Sequence, residues 1–582
     1  MTYIREHFNK LLSSMHTIFV LIWLSNLSRT DSYFSIYLLI GFASIYLSIR
    51  KPSEFQIYKV NFVIPALLAA SFSCSVLLAN YPLFTTIGDP ATIGRSTSII
   101  MNLINGFLTL AGGFAAWYPI IQYVLGSFPR QLCIQSCKIQ FRLHAVAVFA
   151  VFLFVNLIHL FLVEYPGNVT EDPFSQIAEM VSGSYSNFNT YWHTMLFRVI
   201  LIAGYQVFQD FNAAVVLFCV LQAVVVCFAF TYSIMTMRDA GVPGIFLWAA
   251  FILYGFVPYN IAMSITVWKD VLFAASVLLM ISSWIRIVKN IDSTVSSYCV
   301  FIISSILLFI SRTNGWIIYL VSFLLSIWVL RSNRKFLCVM GILSIFGWFL
   351  LNPALSILNV QSSDPVESLS VPIQQVSRVI ADGGRLTEEE EELLSIIVDL
   401  EEVPALYTNW ISDPMKVEVR SKNYEYFLEN KAAYTDLWFK IGLRYPWEYI
   451  KAWVDQTKGY WNGGYDYAMY SETVTDNPYG VYKTMEGNPV ASAFRMYFGL
   501  SRHLIFFEPL HSIGLHVWIM LLCFLLNILR KRLDWIYSLP FVLLVLGLCL
   551  GTPVYACFRY VYPLFVSLPL ILSTTLWVPE TE

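Results

Sequence analysis

The sequence predicts a mainly α-helical membrane protein built around a polytopic helix bundle with about 14 transmembrane helices. Of its 582 residues, 57% are hydrophobic and only 13% are charged, and the mean hydropathy is +0.63. Apolar runs of 18 or more residues recur along the chain, and an α-helix of that length can cross a bilayer. A soluble protein could not keep so much apolar surface away from water. The net charge of −2 gives no overall field that would attract nucleic acid.

Fourteen segments are predicted as membrane spans. Their ranges are 13–29, 33–49, 60–80, 98–125, 143–163, 211–235, 244–260, 270–288, 297–311, 316–330, 336–357, 508–529, 534–551 and 561–578. We expect residues 1–142 to form an N-terminal four-helix membrane extension and residues 143–358 to form the membrane core. Residues 359–507 would be an extracytoplasmic segment or small domain, and residues 508–582 would add the C-terminal membrane helices.

A further apolar segment, 191–208, is long enough to span, and the loop charges decide whether it does. Lys and Arg concentrate in cytoplasmic loops. Clusters of these residues occur in the loops 50–59, 130–142, 286–289, 331–335 and 530–532. With the N-terminus inside, all of them face the cytoplasm only if 191–208 does not cross. We therefore expect 191–208, which also contains His193 and Arg198, to lie at the interface or to re-enter, and both termini to be cytoplasmic.

This topology places several parts of the chain on the outer, extracytoplasmic side. They are the loop 164–210, the turns 258–270 and 311–315, the long segment 359–507 and the loop 552–562, the last two of which belong together. None of the ten cysteines lies between 359 and 505, so that part of the chain folds without disulfides. Its acidic run Glu388–Glu392 is typical of a helix start, where carboxylates interact favourably with the helix dipole.

Three isolated cations, Lys269, Arg312 and Arg559, lie in these outer turns beside apolar spans. Each could extend towards lipid headgroups or pair locally, as Lys269 with Asp270 would. Three separated cations at one membrane face favour instead a shared anionic ligand, because a phosphate needs Arg or Lys as donors and charge partners. Asn314 belongs to the same short turn as Arg312.

The acidic pair Glu171-Asp172 allows two interpretations. Asp172 precedes a proline, so it could cap a helix that begins near Pro173, with Gln176 close to a capping-box position. Alternatively, Asp172 is a general base at the membrane surface, where partial desolvation raises its basicity. His193 would then either stack in the interface or assist this base. We take the base as the working hypothesis.

Several short motifs occur in a consistent order and on the same predicted side. They are PGNVTEDPFSQ, YSNFNTYWHTML, SITVWKDVLFA, SRTNGW, LSVPIQQVSRVI with SDPMK, and PVYACFRYVYPLF. Their arrangement resembles the GT-C superfamily of polytopic glycosyltransferases, and more specifically a bacterial family of uncharacterised GT-C-like membrane proteins. The resemblance covers roughly residues 143–578, so the first four spans lie outside it.

The resemblance implies a GT-C fold and transfer of a sugar from a polyprenyl-phosphate donor to a glycan, lipid or protein acceptor outside the cytoplasm. It makes Asp172 the catalytic base, with Glu171 beside it in the catalytic site as its neighbour or as a metal-site partner. The substrate-binding residues that it implies are Lys269, Arg312, Asn314, Arg559, Tyr560, Gln375, Arg378 and His193. The family's usual histidine–proline step reads Asn189-Thr190-Tyr191-Trp192-His193 here. No metal-ligand spacing is evident, so no cofactor is predicted and a divalent metal is left as an alternative.

Two other functions remain as alternatives at this point. A polysaccharide polymerase or ligase would use a related fold with a lipid-diphosphate glycan donor. A lipid or glycan transporter would line a path with charged residues at mid-membrane depth and would have two similar halves. The sequence shows neither of these two features, which favours an enzyme over a transporter.

Overall fold

The protein is seen here as a computed structural model. It describes residues 2–28, 34–49, 63–85, 95–127, 139–291, 295–464, 476–483, 487–504, 507–551 and 553–577. Within these ranges the chain is almost entirely α-helical, and β-structure is limited to isolated bridges. The mainly α-helical prediction is confirmed. The basic loop 50–59 and most of the loop 130–142 lie outside the described residues.

Each predicted span coincides with an apolar helix. These helices are Thr2–Leu27, Phe34–Ile49, Val63–Ala79, Arg95–Ser127, Ala145–Leu162, Phe211–Asp239, Gly244–Phe256, Lys269–Val288, Val295–Ser311, Thr313–Val329, Arg334–Leu351, Ile513–Leu529, Trp535–Leu550 and Phe558–Leu576. In the described ranges, five helices are long and apolar enough to cross a membrane, or six spans if the bent pair Gly244–Phe256 and Pro258–Ser264 counts as one. The architecture is that of a helical membrane protein.

Other helices, most of them shorter, make up most of the rest of the described chain. They are Pro82–Thr85, Glu171–Ser182, Tyr191–Phe208, Pro258–Ser264, Pro353–Ile357, Ser370–Ala381, Glu388–Ser395, Val403–Leu406, Asp413–Ser421, Tyr424–Glu429, Lys431–Arg444, Pro446–Trp461, Pro489–His503 and Glu508–His511, with a 3₁₀ turn at Pro365–Leu369. Most of them lie between the eleventh and twelfth apolar helices, in the part predicted to be extracytoplasmic.

The helix Lys269–Val288 is the axis of the bundle, and nearly all its side chains are buried. Its sequence is apolar on every face, which is the pattern of a helix surrounded by other helices. Small residues such as Ala274, Ala275 and Ser276 allow close approach of its neighbours. Those neighbours include the helices Phe211–Asp239 and Phe558–Leu576. The first residues of this central helix are thereby fixed at one end of the bundle.

The helix Tyr191–Phe208 is not among the described helices that are long and apolar enough to cross a membrane. It packs alongside the first turns of the helix that follows it, where Gly204 meets Ala214. Asn168, before this helix, and Thr266, after it, form a parallel bridge, so the segments on either side of it meet. The interfacial or re-entrant placement of 191–208 stays a prediction.

The segment between Pro365 and Tyr449 folds into a compact helical unit, which we call the outer unit. It has its own hydrophobic core, separate from those of the bundle. The acidic run does begin a helix, Glu388–Ser395, and Thr387 caps it in a reciprocal capping box with Glu390. The structure therefore shows a small folded unit with a core of its own in this part of the chain.

Ion pairs connect the start of the outer unit to the helix Asp413–Ser421. Arg420 pairs with both Asp364 and Glu367, and Lys416 donates to Glu367 at 2.9 Å. Burial alone would raise the pKa of both carboxyls. The pKa of each carboxyl is lowered nevertheless, because its partners outweigh burial. Asp364 accepts from Tyr424 and Arg420, and Glu367 accepts from Lys416 and Arg420. The ionised form of both side chains therefore stabilises the folded protein.

The N-terminal helices pack around a second hydrophobic core that includes Trp23 and Trp117. Trp518, from the helix Ile513–Leu529, inserts into this core and meets Trp117 edge to face, with ring centroids 5.1 Å apart. The N-terminal extension therefore docks onto the C-terminal helices of the bundle.

Candidate active site

Two loops that lie far apart in sequence are tied together at one end of the bundle. Gly167 has a φ of +123°, and a side chain there would overlap the sulfur of Cys219, so only glycine fits. The indole N–H of Trp268 donates to the hydroxyl of Thr170. These contacts hold the residues before Asp172 against those before the central helix.

Four charged side chains from four separate segments meet beside this junction. Arg559 forms an ion pair with Asp172, and its Nε lies 3.9 Å from Oδ2 of Asp270. The other oxygen of Asp270 lies 3.1 Å from Nη1 of Arg312. The order Asp172–Arg559–Asp270–Arg312 therefore alternates in charge; we call these four residues the charged cluster. Asp270 is fully buried, whereas the other three are partly exposed.

Every member of the charged cluster lies at the start of a helix. Asp172, Asp270 and Arg559 are the second residues of their helices, and Arg312 precedes the first residue of its own. Helix N-termini carry a partial positive charge, which favours anions and disfavours cations. Four converging N-termini make this end of the bundle suitable for an anionic ligand. The cluster also lies at the helix ends and not at mid-length, where a transport path would place its charges.

Lys269 adds a third cation at the same place. Its Nζ donates to the carbonyl oxygen of Phe188 at 3.3 Å and to Oδ1 of Asn189 at 3.2 Å. The local pairing of Lys269 with Asp270 is not what the structure shows, because Asp270 pairs with arginine. Lys269 is nevertheless close enough to interact electrostatically with the whole charged cluster. Three cations against two carboxylates leave one net positive charge, which a further anion would balance.

Aromatic rings fix the two guanidinium groups of the cluster. The Tyr560 ring lies between them, with its centroid 4.4 Å from the guanidinium carbon of Arg312 and 5.0 Å from that of Arg559. The Trp268 ring covers Arg559 from another direction at 5.2 Å. Stacking of this kind holds a guanidinium by its face and leaves its N–H groups free to bind acceptors in its plane. Tyr560 is therefore a positioning residue for both arginines.

The structure does not support a helix-capping role for Asp172. Thr170 occupies the N-cap position and Asp172 is already inside the helix, with its carboxylate turned to Arg559. Gln176 does not complete a capping box either, because its amide lies 3.0 Å from Nδ1 of His193 and donates to Thr194 at 2.9 Å. The carboxylate of Asp172 is thus directed into the cluster.

His193 lies behind this helix, without a described contact to Asp172. It is fully buried, and burial followed by the charge of nearby Lys269 lowers its pKa to about 3. The ring is therefore neutral at physiological pH. Its contacts to Gln176 and to the Phe218 ring indicate that it supports the loop.

Two predicted substrate-binding residues, Gln375 and Arg378, lie in the outer unit and are not brought to the charged cluster by any described contact. Gln375 accepts a hydrogen bond of 2.8 Å from the Trp438 indole. Arg378 pairs with Asp455 at 2.7 Å and donates to the Tyr81 hydroxyl at 3.3 Å. Arg378 therefore links the outer unit to the N-terminal extension. Both side chains already have partners that explain their burial.

Glu171 and Asn314, the remaining predicted site residues, are exposed at helix starts next to Asp172 and Arg312. Sequence reasoning missed Asp270 and Trp268 as site residues. The signal for Asp270 was present, because an ionisable residue at the start of an apolar helix is itself a pointer to function. Across the described ranges, no three His, Cys, Asp or Glu side chains lie close enough together to hold a metal ion.

The chain matches the model of a known protein family. The model of a family of unknown function, DUF6020, matches residues 180–580, which is well over half of the chain. No curated protein and no solved structure matches it. The matched range includes Lys269, Arg312 and Arg559 but begins after Asp172. The chain belongs to the DUF6020 family of proteins of unknown function.

Proposed function

We propose that this protein is a GT-C-type membrane glycosyltransferase with about fourteen spans and cytoplasmic termini. It would transfer a sugar from a polyprenyl-phosphate donor to an acceptor on the extracytoplasmic side, with inversion. The observation that carries the proposal is the charged cluster at four converging helix N-termini. Such an arrangement fits a lipid-linked phosphate, because it lies at the end of apolar helices and, together with nearby Lys269, carries one unbalanced positive charge.

Arg559 and Arg312 are the proposed phosphate-binding residues, and Lys269 adds a more distant positive charge. A guanidinium matches a phosphate well, since two parallel N–H groups can bind two oxygens. Asp270 holds both arginines from the buried side, and the outer N–H groups of Arg559 donate to Asp172 and to the Tyr560 hydroxyl, which a phosphate would displace. The Tyr560 and Trp268 rings keep the guanidinium planes in place. This support allows the site to stabilise charge without rearranging during the reaction.

Asp172 is the proposed general base. The acceptor oxygen attacks the anomeric carbon of the sugar, and its proton moves to the Asp172 carboxylate. The bond between the anomeric carbon and the phosphate oxygen breaks, and the departing polyprenyl phosphate keeps the electron pair. The arginines stabilise the charge that develops on that phosphate. Attack from the face opposite the leaving group inverts the configuration.

The ion pair between Asp172 and Arg559 bears on the order of events. While Arg559 donates to the Asp172 carboxylate, that carboxylate is occupied and would not receive the acceptor proton. A donor phosphate that binds Arg559 would compete with Asp172 for the same N–H groups, while Asp270 would remain as the buried counter-ion. Asp172 would then be released as a base only after the donor has bound. This order would couple deprotonation of the acceptor to binding of the donor.

A transfer assay tests the proposal. The full-length protein in lipid nanodiscs is given a panel of radiolabelled polyprenyl-phosphate sugars together with membrane glycan and lipid extracts as acceptors. Asp172→Asn should lower turnover about a hundredfold or more, which is the usual size of a general-base effect. The matched control, Glu171→Gln, changes the exposed neighbour and should retain transfer.

Product size separates the proposal from a polymerase. Addition of a single sugar supports the proposed reaction, whereas a ladder of polymers supports a polymerase or ligase. A correctly folded Asp172→Asn protein with full transfer activity would remove Asp172 as the base.

A further inference from the structure

The outer unit contains a cavity of about 350 Å³ within its helical core. The walls come from the helices Ser370–Ala381, Glu388–Ser395, Asp413–Ser421 and Lys431–Arg444, among others. Protein cores are normally packed with few voids larger than a water molecule. A cavity of this size is instead in the range of pockets that hold small ligands.

The lining of the cavity is almost entirely apolar. Val376 and Ile380 form one wall, and Leu394, Met415 and Leu437 form parts of the others. Apolar cavities of this kind stay dry and take up apolar molecules. The chemistry of the walls therefore fits a hydrocarbon chain and not a sugar or a nucleotide.

The opening of the cavity carries a positive charge. Lys431 is the one charged side chain among the lining residues that the structure describes, and it is exposed. Thr435 lies one turn further along the same helix, also exposed, and its hydroxyl donates to the Lys431 carbonyl oxygen. A cation at the opening of an apolar cavity complements the headgroup of an anionic amphiphile.

We propose that this cavity binds the hydrocarbon chain of an anionic amphiphile, with the acidic headgroup held at Lys431. A free fatty acid and an anionic phospholipid share this chemistry. The site lies apart from the charged cluster and does not depend on the proposed sugar transfer. The outer unit would thereby hold a lipid chain above the bundle.

Photo-crosslinking of the full-length protein in detergent tests this site. Palmitic acid with a diazirine on its chain is one probe, and phosphatidylglycerol with the same diazirine chain is the other. Peptide mass spectrometry maps the labelled residues. Labelling within 369–438 by either probe supports the proposal, and the more strongly labelling probe identifies the source of the chain. Labelling confined to the bundle helices would overturn it.

Variants at the mouth distinguish the cavity from adventitious surface labelling. Thr435→Trp should block the opening and reduce labelling at least fivefold, without changing a core residue. Ala433→Trp adds the same bulk to the same helix at an exposed position outside the lining, so labelling should remain. Equal labelling of both tryptophan variants would overturn the proposal.

The role of Lys431 has its own test. Lys431→Glu should reduce labelling by the fatty acid at least threefold but should leave labelling by the corresponding uncharged alcohol nearly unchanged. Lys440→Glu reverses an exposed charge on the same helix, away from the cavity, and should affect neither probe. If Lys431→Glu leaves fatty-acid labelling unchanged, the headgroup assignment is wrong.

Discussion

Removal of the Asp172 carboxylate should strengthen phosphate binding while it lowers turnover about a hundredfold or more. In the structure Arg559 is paired with Asp172, and both side chains are less than one third exposed, at 20% and 28%. A partly buried, charge-assisted hydrogen bond of this kind contributes about 1–2 kcal/mol. A phosphate that takes over Arg559 must break that bond first. Without it, affinity should rise about 5–30-fold, since 1.4 kcal/mol corresponds to a factor of ten.

Isothermal titration of farnesyl phosphate into the purified protein in nanodiscs measures this effect. Asp172→Asn should bind more tightly than the wild type, and Glu171→Gln should bind equally well. The double variant Asp172→Asn with Arg559→Ala should lose the gain, because the gain requires the freed guanidinium. Unchanged or weaker binding by Asp172→Asn would refute the competition between the carboxylate and the phosphate.

Three further predictions concern stability. Asp270→Asn should lower the melting temperature, because loss of a buried charge partner costs about 3–5 kcal/mol, and an unchanged value in thermal unfolding would contradict the buried pairing. The depressed pKa values of Asp364 and Glu367 stabilise the outer unit above their ordinary pKa of about 4, and this stabilisation is lost as the pH falls through the lower folded-state values. The protection of the outer unit against hydrogen exchange, corrected for the slower intrinsic exchange in acid, should therefore fall on acidification, and Arg420→Ala should remove much of that pH dependence. Thr387→Ala should cost about 1 kcal/mol and speed exchange in the helix that it caps, whereas equal exchange would argue against the capping box.

The helices of the bundle were predictable because one strong signal defines each of them. A run of about twenty apolar residues has few alternatives to a membrane helix, and the positions of the fourteen predicted segments coincide with helices in the structure. The placement of the helix Tyr191–Phe208 needed a second signal, the distribution of basic loops, and this helix is not among the described ones that are long and apolar enough to span a membrane.

The site was predictable in part. Arg312, Arg559 and Asp172 were chosen as charges beside apolar spans, and the structure brings these three together. The sequence suggested only a local pair of Asp270 with Lys269, because contacts between neighbouring residues are the ones that a single sequence can predict. Its actual partner, Arg312, comes from a different helix, and that contact depends on how the helices pack.

The outer unit was the least predictable part. Its helices are short, and their apolar residues face a core that forms only when all of them meet. Gln375 and Arg378 looked like site residues because they are polar residues in a resembling motif. Their partners, Trp438 and Asp455, lie more than sixty residues away in the chain and give both side chains a structural role.

The most direct test of the central claim is the position of the phosphate in a structure of the protein bound to a polyprenyl phosphate. The account predicts that the phosphate lies within hydrogen-bond distance of Arg559 and Arg312, and that Asp172 has separated from Arg559 while Asp270 has not. A phosphate bound elsewhere, with the Asp172–Arg559 pair intact, would contradict it.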